Sequence, residues 1–265
     1  DAYTAEDDFW KIFTYLGEQS RLEQAFKSKG LQFGDDIVEV ITDANGNKFN
    51  RKIGVFNEEY LKKQSAKLVK NNIPNYAFVS EFIKGLRKLP VGNFVAFPAE
   101  IMRTGTNIVS TALDEIFFTA RINGKEVNPL RARGLQRLTG MAATTVALPL
   151  GTVEMMQTLN DVSDEELQAM RRYVPEWSKN SVLVPFKDKD GKLSYVDFSH
   201  LNAYDTLTRP IQTVVNAVNS GRADKDGIMD DFVLGLIEST KEIGQPFISE
   251  SIWTEALQDI APILG

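Results

Sequence analysis

Asn93-Phe-Val-Ala-Phe-Pro-Ala-Glu-Ile-Met-Arg-Thr-Gly-Thr-Asn-Ile-Val-Ser-Thr-Ala-Leu-Asp-Glu-Ile-Phe-Phe118 is the longest helical signal in the chain. Phe94, Phe97, Ile101, Ile108, Ala112 and Ile116 recur at spacings of three, four, seven, four and four, the period of an α-helix rather than a strand. Pro98 either kinks this element or opens its main part, with Glu100 in the first turn. The opposite face carries Thr104, Thr106, Asn107, Ser110 and Thr111, which are short and neutral. Such a face suits contact with protein better than contact with water. Thr104, Asn107, Ser110 and Thr111 are therefore the candidate subunit-packing residues. A signal of this length sets the class as mainly α and multi-helical, open to an elongated arrangement.

Upstream, Ala5 to about Lys29 reads as an amphipathic helix through Phe9, Phe13, Leu16 and Phe26, with Asp7 and Asp8 in its first turn and Gly30 as its stop. Asn45-Gly46 then separates Ile37–Ile41 from Lys48–Val55, which predicts a β-hairpin over about 37–55. Asn57 caps a helix to about Val69 that buries Tyr60, Leu61, Ala66, Leu68 and Val69. Lys62, Lys63, Lys67 and Lys70 supply its wet side. A further helix covers about Tyr76 to Lys88.

Downstream, a helix opens near Asn128 and Pro129 and is basic at first, through Arg131, Arg133 and Arg137. Leu138 to Val153 is sixteen residues without a charge. A spanning helix needs about twenty apolar residues, and this run is short, Thr-rich and broken by Pro149. Its first reading is a buried helix packed through small residues; insertion into a membrane after a large rearrangement is the alternative. Ser163-Asp-Glu-Glu166 is a capping box that opens a helix to about Tyr173. Ser181–Phe186 and Leu193–Phe198 flank Lys187–Lys192, which predicts a second hairpin over about 181–198. Helices over about Leu201–Asn219, Asp231–Ile243 and Ser249–Ile260 follow. The expectation is thus a mainly α chain with two small β-hairpins, divided into a helical region over 1–160 and a second over 161–265.

Composition is that of a folded protein, with 43% hydrophobic and 25% charged residues and 16 Phe. Asp1 at one end and the apolar Ala261–Gly265 at the other suggest a piece of a longer chain. With no cysteine there is no disulfide, thiolate nucleophile or zinc–thiolate site, and one histidine rules out a multi-histidine metal site within this sequence. The net charge of −6 is uneven. Arg51 to Arg137 carries fifteen Lys or Arg against seven Asp or Glu; the first fifty residues carry five against ten, and Leu138 onward ten against nineteen. A basic middle between acidic flanks fits an anionic partner, acidic neighbouring subunits, or faces that cancel locally in the fold. Lys62, Lys63, Lys67, Lys70, Lys84, Arg87 and Lys88 are the candidate anion-contact residues, for sequence-independent and salt-sensitive contact with DNA.

No strong catalytic motif is present. His200 lies beside Ser199 and five residues before Asp205, without the strained nucleophile turn a catalytic triad needs. Asp43–Asn47 and Asp188–Gly191 echo calcium loops but lack the twelve-residue spacing and terminal Glu, so hairpin turns account for both. The sequence has no phosphate loop. No cofactor, metal or catalytic residue is expected.

Several stretches are worded like a known family: Ala5–Phe13, Asn72–Tyr76, Leu86–Arg103, Arg171–Ser178, Asp197–Asp205 and Pro246–Trp253. In order and wording they resemble segments of the very large internal virion proteins of tailed bacteriophages, especially marine short-tailed ones. The likeness runs through nearly the whole chain. It implies a structural protein in the capsid interior, stacked as an inner core near the portal and ejected to help deliver the genome into the host. The implied partners are further copies in a ring or stack, the portal and other internal virion proteins, with packaged DNA touched non-specifically. After ejection the implied location is the host envelope, where any membrane contact would occur. Some members of that class carry a separate peptidoglycan-cleaving domain. The alternatives are a segment of such a cell-wall-degrading enzyme and a DNA-contacting packaging protein.

Overall fold

The computed structural model describes residues 2–43, 45–73, 92–175, 181–197 and 205–244. The fold is mainly α with two small antiparallel sheets, as the periodicities predict. In chain order the elements are α1 (Ala2–Lys27), β1 (Asp36–Thr42), β2 (Lys48–Val55), α2 (Glu58–Asn72) and α3 (Gly92–Phe117). Next come β3 (Ala120–Ile122), β4 (Lys125–Val127), α4 (Arg131–Ala142), a π-helical turn (Ala143–Ala147) and α5 (Leu148–Leu159). The last are α6 (Asp164–Tyr173), β5 (Leu183–Lys187), β6 (Leu193–Asp197), α7 (Asp205–Asn219) and α8 (Lys225–Gly244). Helices expected near 76–88 and 249–260 lie outside the described residues.

The chain forms two compact units, and each is discontinuous in sequence. One takes residues 1–75 and 107–138; the other takes 76–106 and 139–265. In the first, the sheet order is β2-β1-β3-β4, all antiparallel. Leu22 and Phe26 of α1, Leu61 of α2, Ile37, Phe56, Ala120 and Ile122 make one apolar core. Phe26 sits at its centre, with its ring 5.5 Å from Phe56 and edge-on to Tyr60 and Phe118. The Asn57 side chain accepts the Tyr60 amide and starts α2, which buries Leu61 and Ser65. Tyr60, Leu68 and Val69 are half-buried, and Ala66, expected inside, is exposed.

The hairpin β3–β4 extends the sheet beyond the single hairpin expected there. Its turn is Asn123-Gly124, both at positive φ, the geometry that Asn-Gly favours. The turn at 43–47 is built differently. The Asp43 carboxylate accepts the amides of Asn45 and Asn47 at 2.9 and 2.8 Å, and Gly46 alone takes positive φ among the described residues of that loop. Asp188 repeats the device between β5 and β6, accepting the amides of Asp190 and Lys192 at 3.0 and 2.8 Å. Both Asp-x-x-Gly loops thus place a carboxylate on backbone amides, as a turn does.

In the second unit, Leu207, Ile211, Val214 and Val218 of α7 bury a face beside α8, whose Ile228, Phe232 and Leu236 are buried as well. The helix α8 begins at Lys225, six residues before the start its apolar period suggested. Asp224 accounts for the early start, since its carboxylate accepts the Gly227 amide. The expected capping box at the head of α6 is complete: Glu166 N–H donates to Ser163 Oγ, and Ser163 N–H donates to Glu166 Oε2. Met170, Val174 and Leu183 form a small core between α6 and β5.

The uncharged run Leu138–Val153 departs from the buried helix expected of it. Leu138, Thr145, Pro149 and Val153 face inward, whereas Leu148 and Leu150, with Met155 and Leu159 just beyond the run, stand in solvent. A Cβ placed at Gly140 or Gly151 would meet nothing within 4 Å, so these glycines serve no close helix contact. No helix among the described residues is long and apolar enough to cross a membrane.

Candidate functional site

The helix α1 presents two apolar faces at different angles. From Glu18 to Lys27, Glu18, Leu22 and Phe26 follow one another at spacings of four and point into the first unit. From Phe9 to Leu16 the large apolar residues lie on nearly the opposite side of the helix, by the 100° advance per residue. There Phe9, Trp10, Ile12, Phe13 and Leu16 are 54–62% exposed. Their rings order one another: Phe9 and Phe13 stack with centroids 6.3 Å apart, and Trp10 meets both edge-on. At roughly 100 Å² each, these five side chains offer about 500 Å² of apolar surface, against about 800 Å² per partner in a standard interface. Lone exposed apolar residues need no explanation, but contiguous patches of this size mark contact surfaces.

A buried ionic quartet fixes the register of this helix. Arg133 and Arg137, one turn apart on α4, reach between Glu18 of α1 and Glu115 of α3. One Arg133 nitrogen, Nη2, lies 2.6 Å from Glu18 and 3.1 Å from Glu115. Arg137 Nε donates to Glu115 at 3.0 Å, and its Nη2 donates to Glu18. The helices meet closely here because residue 134 is glycine. A Cβ at Gly134 would stand 2.6 Å from the Ala112 carbonyl oxygen and 2.9 Å from the Glu115 Cβ.

Burial pushes the Glu18 carboxyl up, but the hydrogen bond and charge of Arg137, with Arg133 and Arg21, outweigh it and hold the group below its ordinary value. Burial prevails at Glu115, which has only two arginines and feels the charge of Glu18, so its carboxyl is raised. The same desolvation lowers Arg133, whereas carboxylate contacts raise Arg137. A raised carboxyl suits a general acid, but Glu115 is sealed among helices and bonded to two guanidiniums. Its chemistry is positional.

The residues singled out in the sequence fall in several places. Lys62, Lys63, Lys67 and Lys70 are exposed on α2, and Lys62 pairs with Glu58 at 3.1 Å. Lys84, Arg87 and Lys88 lie outside the described residues. The neutral face of α3 is largely taken up by the chain itself. Thr104 and Thr106 are buried, Asn107 donates to the Asn71 carbonyl, and Ser110 and Thr111 are half-buried. Thr104 and Thr106 thus fill intramolecular space, while Asn107, Ser110 and Thr111 keep part of their surface exposed. The exposed aromatic stripe of α1 was missed, because Phe9, Phe13, Leu16 and Phe26 read as a single buried face. Helical spacing alone does not distinguish a core face from a docking face.

A second exposed apolar row lies on α5, where Leu148, Met155 and Leu159 recur at seven and four residues. A cleft of about 700 Å³ in the same unit gathers Glu154, Asp161, Asp164, Glu166 and Lys187. The Ser163 amide and Lys187 hold the Glu166 carboxyl below its ordinary value, which suits a cap and not a proton donor. No group of His, Asp and Glu among the described residues is arranged to hold a metal. His200 lies outside the described residues. Comparison with known protein families, curated proteins and solved structures finds no match to this chain.

Proposed function

We propose that the chain is a structural, assembly-forming protein of a phage particle, acting by self-association and not by catalysis. The observation that carries this reading is the aromatic stripe of α1, from Phe9 to Leu16, turned away from its own unit. At about 25 cal/mol per Å², covering roughly 500 Å² is worth about 12 kcal/mol gross, against about 4–15 kcal/mol lost on association. That balance gives weak pairwise contact, which becomes firm only where many copies meet in a ring or stack. The row on α5 supplies a second sticky face, as a multi-neighbour assembly needs.

The resemblance to internal virion proteins gives this assembly its setting: an inner core near the portal, ejected to help deliver the genome. A chain without cysteines carries no covalent lock against unfolding and refolding on the way. The exposed lysines of α2 would meet packaged DNA without sequence preference. Quantitative mass spectrometry of purified particles tests the setting. The chain is expected inside full particles, resistant to external protease, and lost from particles that have released their genome. Retention after release, or absence from full particles, would contradict the reading. Loss of peptidoglycan cleavage in a Glu-to-Gln scan would support the enzymatic alternative instead.

A further inference from the structure

We infer that the first unit carries a binding site for a small phosphorylated ligand, in a cleft between the end of α1 and the start of α4. The cleft, of about 540 Å³, lies within the range of small-molecule pockets, about 300–1,000 Å³. Four cations line it, Arg21, Lys29, Arg131 and Arg133, and no carboxylate does. Ser28, Asn128, Gln24 and Gln136 add neutral polar groups to its wall.

The charge balance argues for a ligand. Within the quartet, Arg133 and Arg137 are matched one for one by Glu18 and Glu115. Arg21 is therefore surplus, reaching Glu18 only at 3.4 Å. Lys29 and Arg131 have no ion-pair partner among the described residues. Arg21, Arg133 and Arg137 thus share two carboxylates, and with Lys29 and Arg131 the surroundings of the cleft carry three positive charges in excess. Arg133 adds its charge from behind the cleft wall, where it is 94% buried; its Nε and Nη1 have no hydrogen-bond partner and are closed off from the cleft surface.

The position adds a dipole. Asn128 Oδ1 accepts the amides of Leu130 and Arg131, and Ala132 and Arg133 follow in the first turn of α4. The positive end of that twelve-residue helix faces the cleft. A compact, doubly charged group meets all of this best: a phosphate monoester or a pyrophosphate. No aromatic side chain lines the cleft, so the site reads the phosphate end of its ligand and stacks no base. This site is separate from the α1 stripe, and its test does not depend on self-association.

Calorimetric titration of the full chain with inorganic pyrophosphate at low salt tests the inference. Saturable binding is expected with a Kd on the order of 0.1 mM, weakening as salt rises. Lys29 and Arg131 are exposed, so Lys29→Glu and Arg131→Glu are expected to leave the urea midpoint unchanged and weaken binding about tenfold or more. The matched control Lys189→Glu, in the exposed turn between β5 and β6, should leave binding within about twofold. Absence of saturable binding, or equal loss in the control, would overturn the site. So would a single-stranded oligonucleotide without terminal phosphate binding more tightly than pyrophosphate with the same dependence on Arg131, since that makes the cleft a reader of nucleic-acid backbone.

Discussion

The two halves of α1 put similar residues to opposite uses. Phe26, in the C-terminal half, is fully buried among Phe56, Tyr60 and Phe118, while Phe9 and Phe13, in the N-terminal half, are exposed and, among the described residues, meet the rings of each other and of Trp10. The apolar face rotates partway along one helix, and the point of rotation is marked by Glu18, whose carboxylate is held by Arg133 and Arg137. A helix serving only its own core would keep a single face. The change of face separates a part that stabilises the unit from a part that is available to another molecule.

The most forceful way to break this comparison is to truncate one ring in each half. Phe26→Ala should cost about 3–5 kcal/mol in urea unfolding, the range for a buried Phe. Phe13→Ala should stay within about 0.5 kcal/mol, as exposed substitutions do, while weakening self-association. Equal losses would show that both halves belong to the core.

Next in size is the anchor between the halves. Glu18→Ala leaves Arg133 and Arg137 with one carboxylate for two buried guanidiniums, and should cost about 3–5 kcal/mol. Gly134→Ala tests the close approach beneath the quartet. Its new methyl would meet a carbonyl oxygen in the backbone of α3, which does not yield as a side-chain tip would, so a loss of about 1–3 kcal/mol is expected. The corresponding change at Gly105 meets only the flexible ends of Leu207 and Met141 and should cost less. Urea midpoints decide both.

The smallest effect is the pH dependence. The folded Glu18 carboxyl lies below its unfolded value of about 4.3. Its contribution is complete above that pH and is lost as pH falls through the lower folded value. Glu115 is raised and works the other way. Its folded form takes up a proton before the unfolded chain does, which offsets part of the acid loss. Glu18→Gln should therefore flatten the acid limb of the stability curve, and Glu115→Gln should steepen it. The reverse pattern would mean that the two acids have exchanged roles.

What was legible in the sequence was mostly local. Asn57, Ser163 with Glu166, and the loops at Asp43 and Asp188 announce themselves because a cap or turn is closed by residues a few positions apart. The hairpin at Asn123-Gly124 carries the same dipeptide as Asn45-Gly46, yet its strands are three residues each, too short to display an alternation. The quartet was out of reach, since Glu18 meets its arginines across 115 and 119 residues. Arg131, Arg133 and Arg137 read only as a basic start to their helix, and the fold separates them by burying Arg133 and leaving Arg131 exposed. The units interleave in sequence because α3 and α4 each pass from one to the other, so composition along the chain gives no boundary of that kind.

Sedimentation equilibrium of the intact chain beside a Phe9→Glu, Phe13→Glu variant tests the aromatic stripe most directly. The wild-type chain should rise above its 29.7 kDa monomer mass as concentration passes through tens of micromolar, and the variant, equally stable to urea, should remain at that mass. A wild-type chain that stays monomeric throughout, or a variant that associates just as well, would contradict it.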